Sequence, residues 1–193
     1  MRHAPKNYFT PAQYLAMEVV SEEKHEYYDG EIYLLAGGTR EHSLIAVNTI
    51  VALGNKLASK PCEVYNSDMR SLVERSGLYT YPDVMVICGK VRMVERRNDT
   101  VTNPVLIVEV LSESTRDYDR GMKFNFYKQI PSLQEYVVVE SERARVELYR
   151  RGEKEAWTVE AYVNLDAVLP LTSVDCQVSL REIYSKVSWL VSD

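Results

Sequence analysis

The stretch Pro104-Val105-Leu106-Ile107-Val108-Glu109-Val110-Leu111-Ser112 decides the fold. It is apolar almost throughout, the pattern of a strand at the centre of a sheet covered on both faces. Side chains alternate along a strand, so Glu109 shares a face with Ile107 and Leu111 while Leu106, Val108 and Val110 point the other way. Both faces are apolar, so the carboxylate is expected to be buried. A buried carboxylate needs a proton, a cationic side chain or a metal to neutralise it. The plain alternative is a sheet-end glutamate bonded to backbone or to an arginine. A second acid has the same setting: Asp83 follows Pro82 and opens Val84-Met85-Val86-Ile87. If the two strands are neighbours, at about 4.8 Å spacing, the carboxylates repel unless a cation lies between them, and hard oxygen donors suit magnesium or manganese. Pro-Asp is also a common turn opening, but the two acids together favour a metal site.

Outward from this pair, the chain reads as alternating helices and strands. Thr10-Pro11 predicts a capped helix to about Val19. Asp29-Gly30 between two strand-like runs predicts a two-residue hairpin. Apolar residues at helical spacing predict a helix from about Glu41 to Ser59. Strands are expected at 62–66, 69–74, 79–88 and 104–112, a helix from Thr115 to Gln129 ended by Ile130-Pro131-Ser132, then strands at 135–140, 145–151 and 156–162. A closing helix at 179–187 is capped by Ser179. With no repeat and no dividing linker, residues 1–193 are expected to form a single α/β domain with a mixed central β-sheet flanked by helices.

Composition narrows the class. Of 193 residues 46% are hydrophobic and 26% charged, the proportions of an ordinary globule, which argues against disorder and fibrous repeats. No apolar run reaches the roughly 18 to 20 residues of a membrane helix, and Met1 to Pro11 lacks the pattern of a secretory signal. A cytoplasmic location is the expectation. The three cysteines, Cys62, Cys88 and Cys176, lie far apart and are read as inert, partly buried thiols rather than as a disulfide framework or zinc motif. The net charge of −5 requires any nucleic-acid contact to use a local basic patch.

The ordered segments Tyr81-Pro82-Asp83-Val84, Asn103-Pro104 running into Val108-Glu109-Val110-Leu111-Ser112 with Ser114-Thr115, Asp119 through Lys123 to Tyr127, and Ile130-Pro131-Ser132-Leu133-Gln134-Glu135-Tyr136 resemble the Uma-type family of restriction-endonuclease-like proteins, within the PD-(D/E)XK nuclease superfamily. His25-Glu26 before Asp29-Gly30-Glu31, and His42 opening a helix, extend the resemblance over about residues 8 to 187. It implies a restriction-endonuclease-like core and a metal-dependent endonuclease, with Asp83, Glu109 and the Val110 carbonyl as ligands of Mg2+ or Mn2+ and Glu26 supporting the site. It also implies DNA as substrate. Leu111 stands where the superfamily usually has its catalytic lysine, and an aliphatic chain cannot replace an ammonium. The lysine has migrated, on this resemblance, to Lys123 on the following helix, with Asp119 four residues earlier to hold it. Lys123 is expected to have an exposed stem and a catalytic tip.

Catalysis is then expected to use water activated by a cation, with Lys123 orienting the nucleophile or offsetting developing charge. His25 and His42 are open between phosphate contact and a structural role, and the role of Asp119 is equally open. Arg116, Arg120, Lys123 and Lys128, with Tyr118 and Tyr127 interleaved, form a candidate phosphate-contacting face or an ordinary solvated one. Arg143, Arg145, Arg150 and Arg151 read as decoration of an exposed hairpin. A homodimer is expected, because cutting both strands of a duplex needs two sites and the 14 tyrosines suit an interface. The competing class is a nuclease-fold module that binds nucleic acid or protein with little turnover. A glycosidase acid/base pair has no sugar cleft to support it.

Overall fold

The computed structural model describes residues 8–113 and 115–190. Ser114 and the first seven residues, on which part of the sequence reading falls, lie outside the described residues. In chain order the elements are α1 (Pro11–Val20), β1 (His25–Tyr28), β2 (Glu31–Leu34), α2 (Arg40–Leu57), β3 (Cys62–Asn66), β4 (Arg70–Val73), β5 (Leu78–Thr80), β6 (Val84–Cys88), β7 (Thr100–Val101) and β8 (Leu106–Leu111). Then follow α3 (Arg116–Tyr118), a π turn (Asp119–Lys123) and α4 (Phe124–Tyr127), β9 (Glu135–Glu140), β10 (Val146–Arg151), β11 (Trp157–Tyr162), β12 (Val168–Leu171), β13 (Cys176–Ser179) and α5 (Leu180–Ile183).

The main sheet has six strands in the order β11-β10-β9-β8-β6-β3, and a second sheet runs β2-β1-β5-β4-β7. In the main sheet β8 and β9 are parallel, joined by the helical segment 116–127, which a parallel connection requires. On one face Leu106, Val108 and Val110 pack with α2 and α5 residues such as Ile45, Leu53, Leu57 and Ile183. On the other face Ile107 and Leu111 pack with Phe126, Tyr127, Tyr136 and Val138. The alternation expected around Glu109 is therefore the one observed.

Local chemistry sets the ends of the elements. Thr10 and Gln13 form a reciprocal capping box on α1. Thr39 caps α2, its Oγ1 accepting from the His42 amide at 3.2 Å. Asp29 and Gly30 both take positive φ, 46° and 81°, as a two-residue turn of the type matched to strand twist requires. Gly30 is also needed for space, since a Cβ there would stand 2.3 Å from the Tyr8 ring.

Several expectations are corrected. The single strand at 79–88 is two strands in different sheets, with Tyr81-Pro82-Asp83 as the passage between them. Pro82 has no N–H to give to a ladder, so regular pairing stops at it. The closing helix is only Leu180–Ile183. The hairpin of β12 and β13 escaped the sequence reading because Pro170 masks a strand signal. It is tied to the sheet through buried Glu135, which accepts from Arg150 Nε (2.8 Å), from the amide and hydroxyl of Thr172, and from the amide and hydroxyl of Ser173. Cys62 and Cys88 are not free thiols: they are directly opposite in the β3–β6 register and form a disulfide, leaving Cys176 free. Their separation of 26 residues carries no local motif, and only the antiparallel register brings them together.

Candidate active site

The register of β6 against β8 pairs Val84 with Val108, so Asp83, one residue before the strand, falls opposite Glu109. The contacts agree: the Asp83 amide lies 3.4 Å from Glu109 Oε2, and the Val110 amide donates to Asp83 Oδ2 at 2.8 Å. Asp83 stays partly open to solvent, whereas Glu109 is buried. Glu109 Oε1 is held by the Tyr127 hydroxyl (2.6 Å) and by Lys123 Nζ (2.9 Å).

Lys123 is the correction that matters most. It is 6% exposed, with Nζ 2.9 Å from Glu109, 3.4 Å from Glu26 and 3.5 Å from Asp119. Asp119, Lys123 and Tyr127 recur every four residues through a segment that is α-helical, then π-helical, then α-helical. In a regular α-helix such a series drifts around the axis by about 40° per step. The wider π turn reduces that drift, and π segments recur at functional sites. Glu26, from the first hairpin strand, accepts from the hydroxyls of Thr80 and, at 3.1 Å, Tyr118. Thus the structure brings Glu26, Asp83, Glu109 and Lys123 together around one sheet end.

Electrostatics follow from burial. Desolvation pushes the Glu109 carboxyl up to about 8, against the pull of Lys123, with the Asp83 charge adding to the rise. Burial likewise raises Asp119, with Lys123 opposing. For Lys123, burial disfavours the charge, but Glu109, Tyr127, Glu26 and Asp119 outweigh it and raise the ammonium's pKa well above its ordinary value.

His42, left open in the sequence, belongs to this site: its Nε2 is 3.3 Å from Asp83 Oδ2. Burial lowers its basicity, but the Asp83 bond and the Asp83 and Glu109 charges raise it on balance. His25 does not belong. Its Nδ1 is 2.7 Å from Glu18, in a separate network where Tyr81 donates to Glu18 and Arg70 donates to the Tyr81 hydroxyl. That network anchors Tyr81 two residues before Asp83. Sequence reading also missed Tyr127, Thr80 and Tyr118 as site residues; the four-residue spacing from Asp119 was the available signal for Tyr127.

The basic face of the helical segment is largely neutralised internally. Arg116 pairs with Glu142 at 2.8 Å, Arg120 with Glu140 at 2.6 Å and Glu147 at 3.0 Å, and Lys128 lies 4.9 Å over the Phe124 ring. Arg143 and Arg145 join the same acids, and Arg150 reaches Glu135, so these arginines are paired with acids even where, as at Arg143, the side chain stays exposed.

As to a divalent cation, no group of three or more acidic, histidine or cysteine side chains placed to hold one occurs among the described residues. Asp83 and Glu109 alone nonetheless offer suitable donors: Asp83 is part-open, Lys123 sits on Glu109 Oε1 while Oε2 faces the Asp83 amide, and both carboxylates are hard oxygen donors beside the Val110 backbone.

Comparison with known proteins bears on the family and the fold. The family model Uma2, described as "Putative restriction endonuclease", matches residues 11–181. A protein of Synechocystis, named only as uncharacterized, is 38% identical over 181 residues, 94% of each chain. A second from the same organism is 38% identical over 148 residues, 77% of this chain and 84% of the relative. A crystal structure from Anabaena variabilis, titled as "a putative nuclease belonging to DUF820", superposes with a TM-score of 0.72 at 18% identity, covering 89% of this chain and 93% of the other.

Proposed function

The chain belongs to the Uma2 family of restriction-endonuclease-like proteins, and from that premise we propose that it is a divalent-cation-dependent DNA endonuclease that hydrolyses phosphodiester bonds with water. The observation that carries the reading is the placement of Asp83 opposite Glu109 with the Lys123 ammonium on the second carboxylate. Asp83, Glu109 Oε2 and the Val110 carbonyl would hold Mg2+ or Mn2+, and such an ion supplies a lowered water pKa and a polarised phosphate.

The remaining roles belong to this chain's own residues. Lys123, buried behind Glu109, favours that carboxylate's charged form against the burial that disfavours it, and holds it oriented toward Asp83. Glu26 and Asp119 hold the ammonium in place, and Tyr127 fixes Glu109 Oε1. Lys123 therefore acts on the substrate through Glu109 rather than by reaching phosphate. One such centre hydrolyses one phosphodiester at a time, so cutting both strands of a duplex calls for two centres, which a homodimer would supply.

A second reading has one observation in its favour: the arginines of the helical segment are tied to acids, leaving little free positive charge for phosphate. It takes the chain as a nuclease-fold module that binds nucleic acid or protein without turnover. Incubating the folded chain with labelled single- and double-stranded DNA and RNA, with Mg2+ or Mn2+, separates the two. Cleavage of DNA supports the enzyme; retained binding without products supports the module. As to membranes, no helix among the described residues is long and apolar enough to cross one.

A further inference from the structure

Resting on the reading of Asp83 as a cation ligand, we propose that His42 is a further ligand of the same centre, so that the cation is held by an imidazole nitrogen, the Asp83 carboxylate and the Val110 carbonyl beside Glu109. Nε2 of His42 and Oδ2 of Asp83 are 3.3 Å apart. Two neighbouring ligands at right angles on one ion, with bonds of about 2.1 to 2.3 Å, stand about 3.0 to 3.3 Å apart. The same Asp83 oxygen accepts from the Val110 amide at 2.8 Å, so the imidazole stands on the carboxylate that is tied to Val110.

The ring is built in rather than swinging on a loop. His42 lies in the first turn of α2, its amide is capped by Thr39, and its ring packs on Gly38, where a Cβ would stand 2.6 Å from Nδ1. Packing on the Nδ1 side turns Nε2 toward Asp83. The His42 and Asp83 side chains are 19% and 17% exposed, so an ion from solvent reaches them, whereas Lys123 and Glu109 are sealed. Glu109 Oε1 is already spent on Lys123 and Tyr127. The histidine supplies the donor that this commitment removes.

The consequence is a shift in cation preference. Carboxylate and carbonyl oxygens suit Mg2+ and Mn2+, while imidazole favours the later first-row ions. A centre containing His42 binds Mn2+, Co2+ or Zn2+ in preference to Mg2+.

The test reads ion binding directly, without substrate. Mn2+ is titrated into the folded chain and free ion is followed by electron paramagnetic resonance, for wild type, His42→Ala, Gly38→Ala and Asp83→Asn, each checked for folding by thermal unfolding. Zn2+ is added to wild type with imidazole 15N shifts as readout. We expect one site in wild type, affinity at least about tenfold weaker in His42→Ala, as loss of even an outer partner costs, weakening in Gly38→Ala, and a Zn2+ shift of the His42 ring while His25 stays put. If His42→Ala binds Mn2+ like wild type and Asp83→Asn does not, the His42 assignment is overturned and the enzyme reading stands. If wild type and Asp83→Asn alike bind no ion at millimolar concentration, both are overturned.

Discussion

Replacing Lys123 by alanine removes the ammonium that lies within 3.5 Å of Glu109, Glu26 and Asp119. Breaking a buried ion pair from one side costs about 3–5 kcal/mol, because the remaining charge is left uncompensated. For a chain of this size each kcal/mol moves the melting temperature by about 2–4 °C, so a fall of about 6–20 °C is expected. The variant's loss depends on pH, with a definite sign. Glu109 already has a folded pKa raised from 4.5 to about 8 by burial, and losing Lys123 raises it further. A carboxyl whose folded pKa is raised binds more protons folded than unfolded, so stability falls as pH rises through that window. Because wild-type Glu109 itself stays protonated below about 8, the variant's extra loss opens only above that value, so Lys123→Ala should be closest to wild type near pH 5 and furthest from it near pH 9. Urea unfolding at the two pH values, with Lys123→Met to restore volume, measures this. A Lys123→Ala protein within about 0.5 kcal/mol of wild type at pH 9, the range of ordinary surface substitutions, refutes the buried-neutraliser role.

Other consequences are independent of the site. Thiol titration of the native protein should find Cys176 alone, and Cys62→Ser should lower stability by about 3.5 kcal/mol, the loop-closure value for the 26-residue separation. Two or more reactive thiols would contradict the pairing. The Arg120 network predicts acid behaviour: despite the penalty of burial, bonds from arginines lower the Glu140 and Glu147 pKa values. Their contribution is present above the unfolded carboxylate pKa and is lost as pH falls through the lower folded values. Arg120→Ala should unfold at a higher pH than wild type in an acid titration followed by circular dichroism, and an unchanged acid midpoint would count against the network.

Much of this was legible in the sequence because the signals were local. Asp29-Gly30 wrote its turn, Thr10 and Ser179 their caps, and the single acid in 104–112 its strand and its face. Asp83 opposite Glu109 followed from two matching patterns. What stayed hidden depends on register and packing over long separations. Cys62 meets Cys88 only through the β3–β6 pairing, and His42 meets Asp83 only when α2 crosses the sheet end. The burial of Lys123 was misread because a charged residue among Arg120, Gly121 and Met122 looks like a solvent face. Its three acidic partners come from β1, β8 and the preceding turn of its own helix. Arg116 and Arg120, open in the sequence between a phosphate-contacting face and a solvated one, are paired with acids on β9, β10 and the turn between them.

The central claim, that Asp83 and Glu109 form a cation-dependent hydrolytic centre for DNA, is tested most directly by plasmid nicking with wild type and Asp83→Asn side by side, in Mn2+, in Mg2+ and in excess chelator. The account predicts nicked and linear DNA from wild type with a divalent ion, none with chelator, and none from a folded Asp83→Asn protein under any condition. Cutting by Asp83→Asn at the wild-type rate, or wild-type cutting that survives chelation, would contradict it.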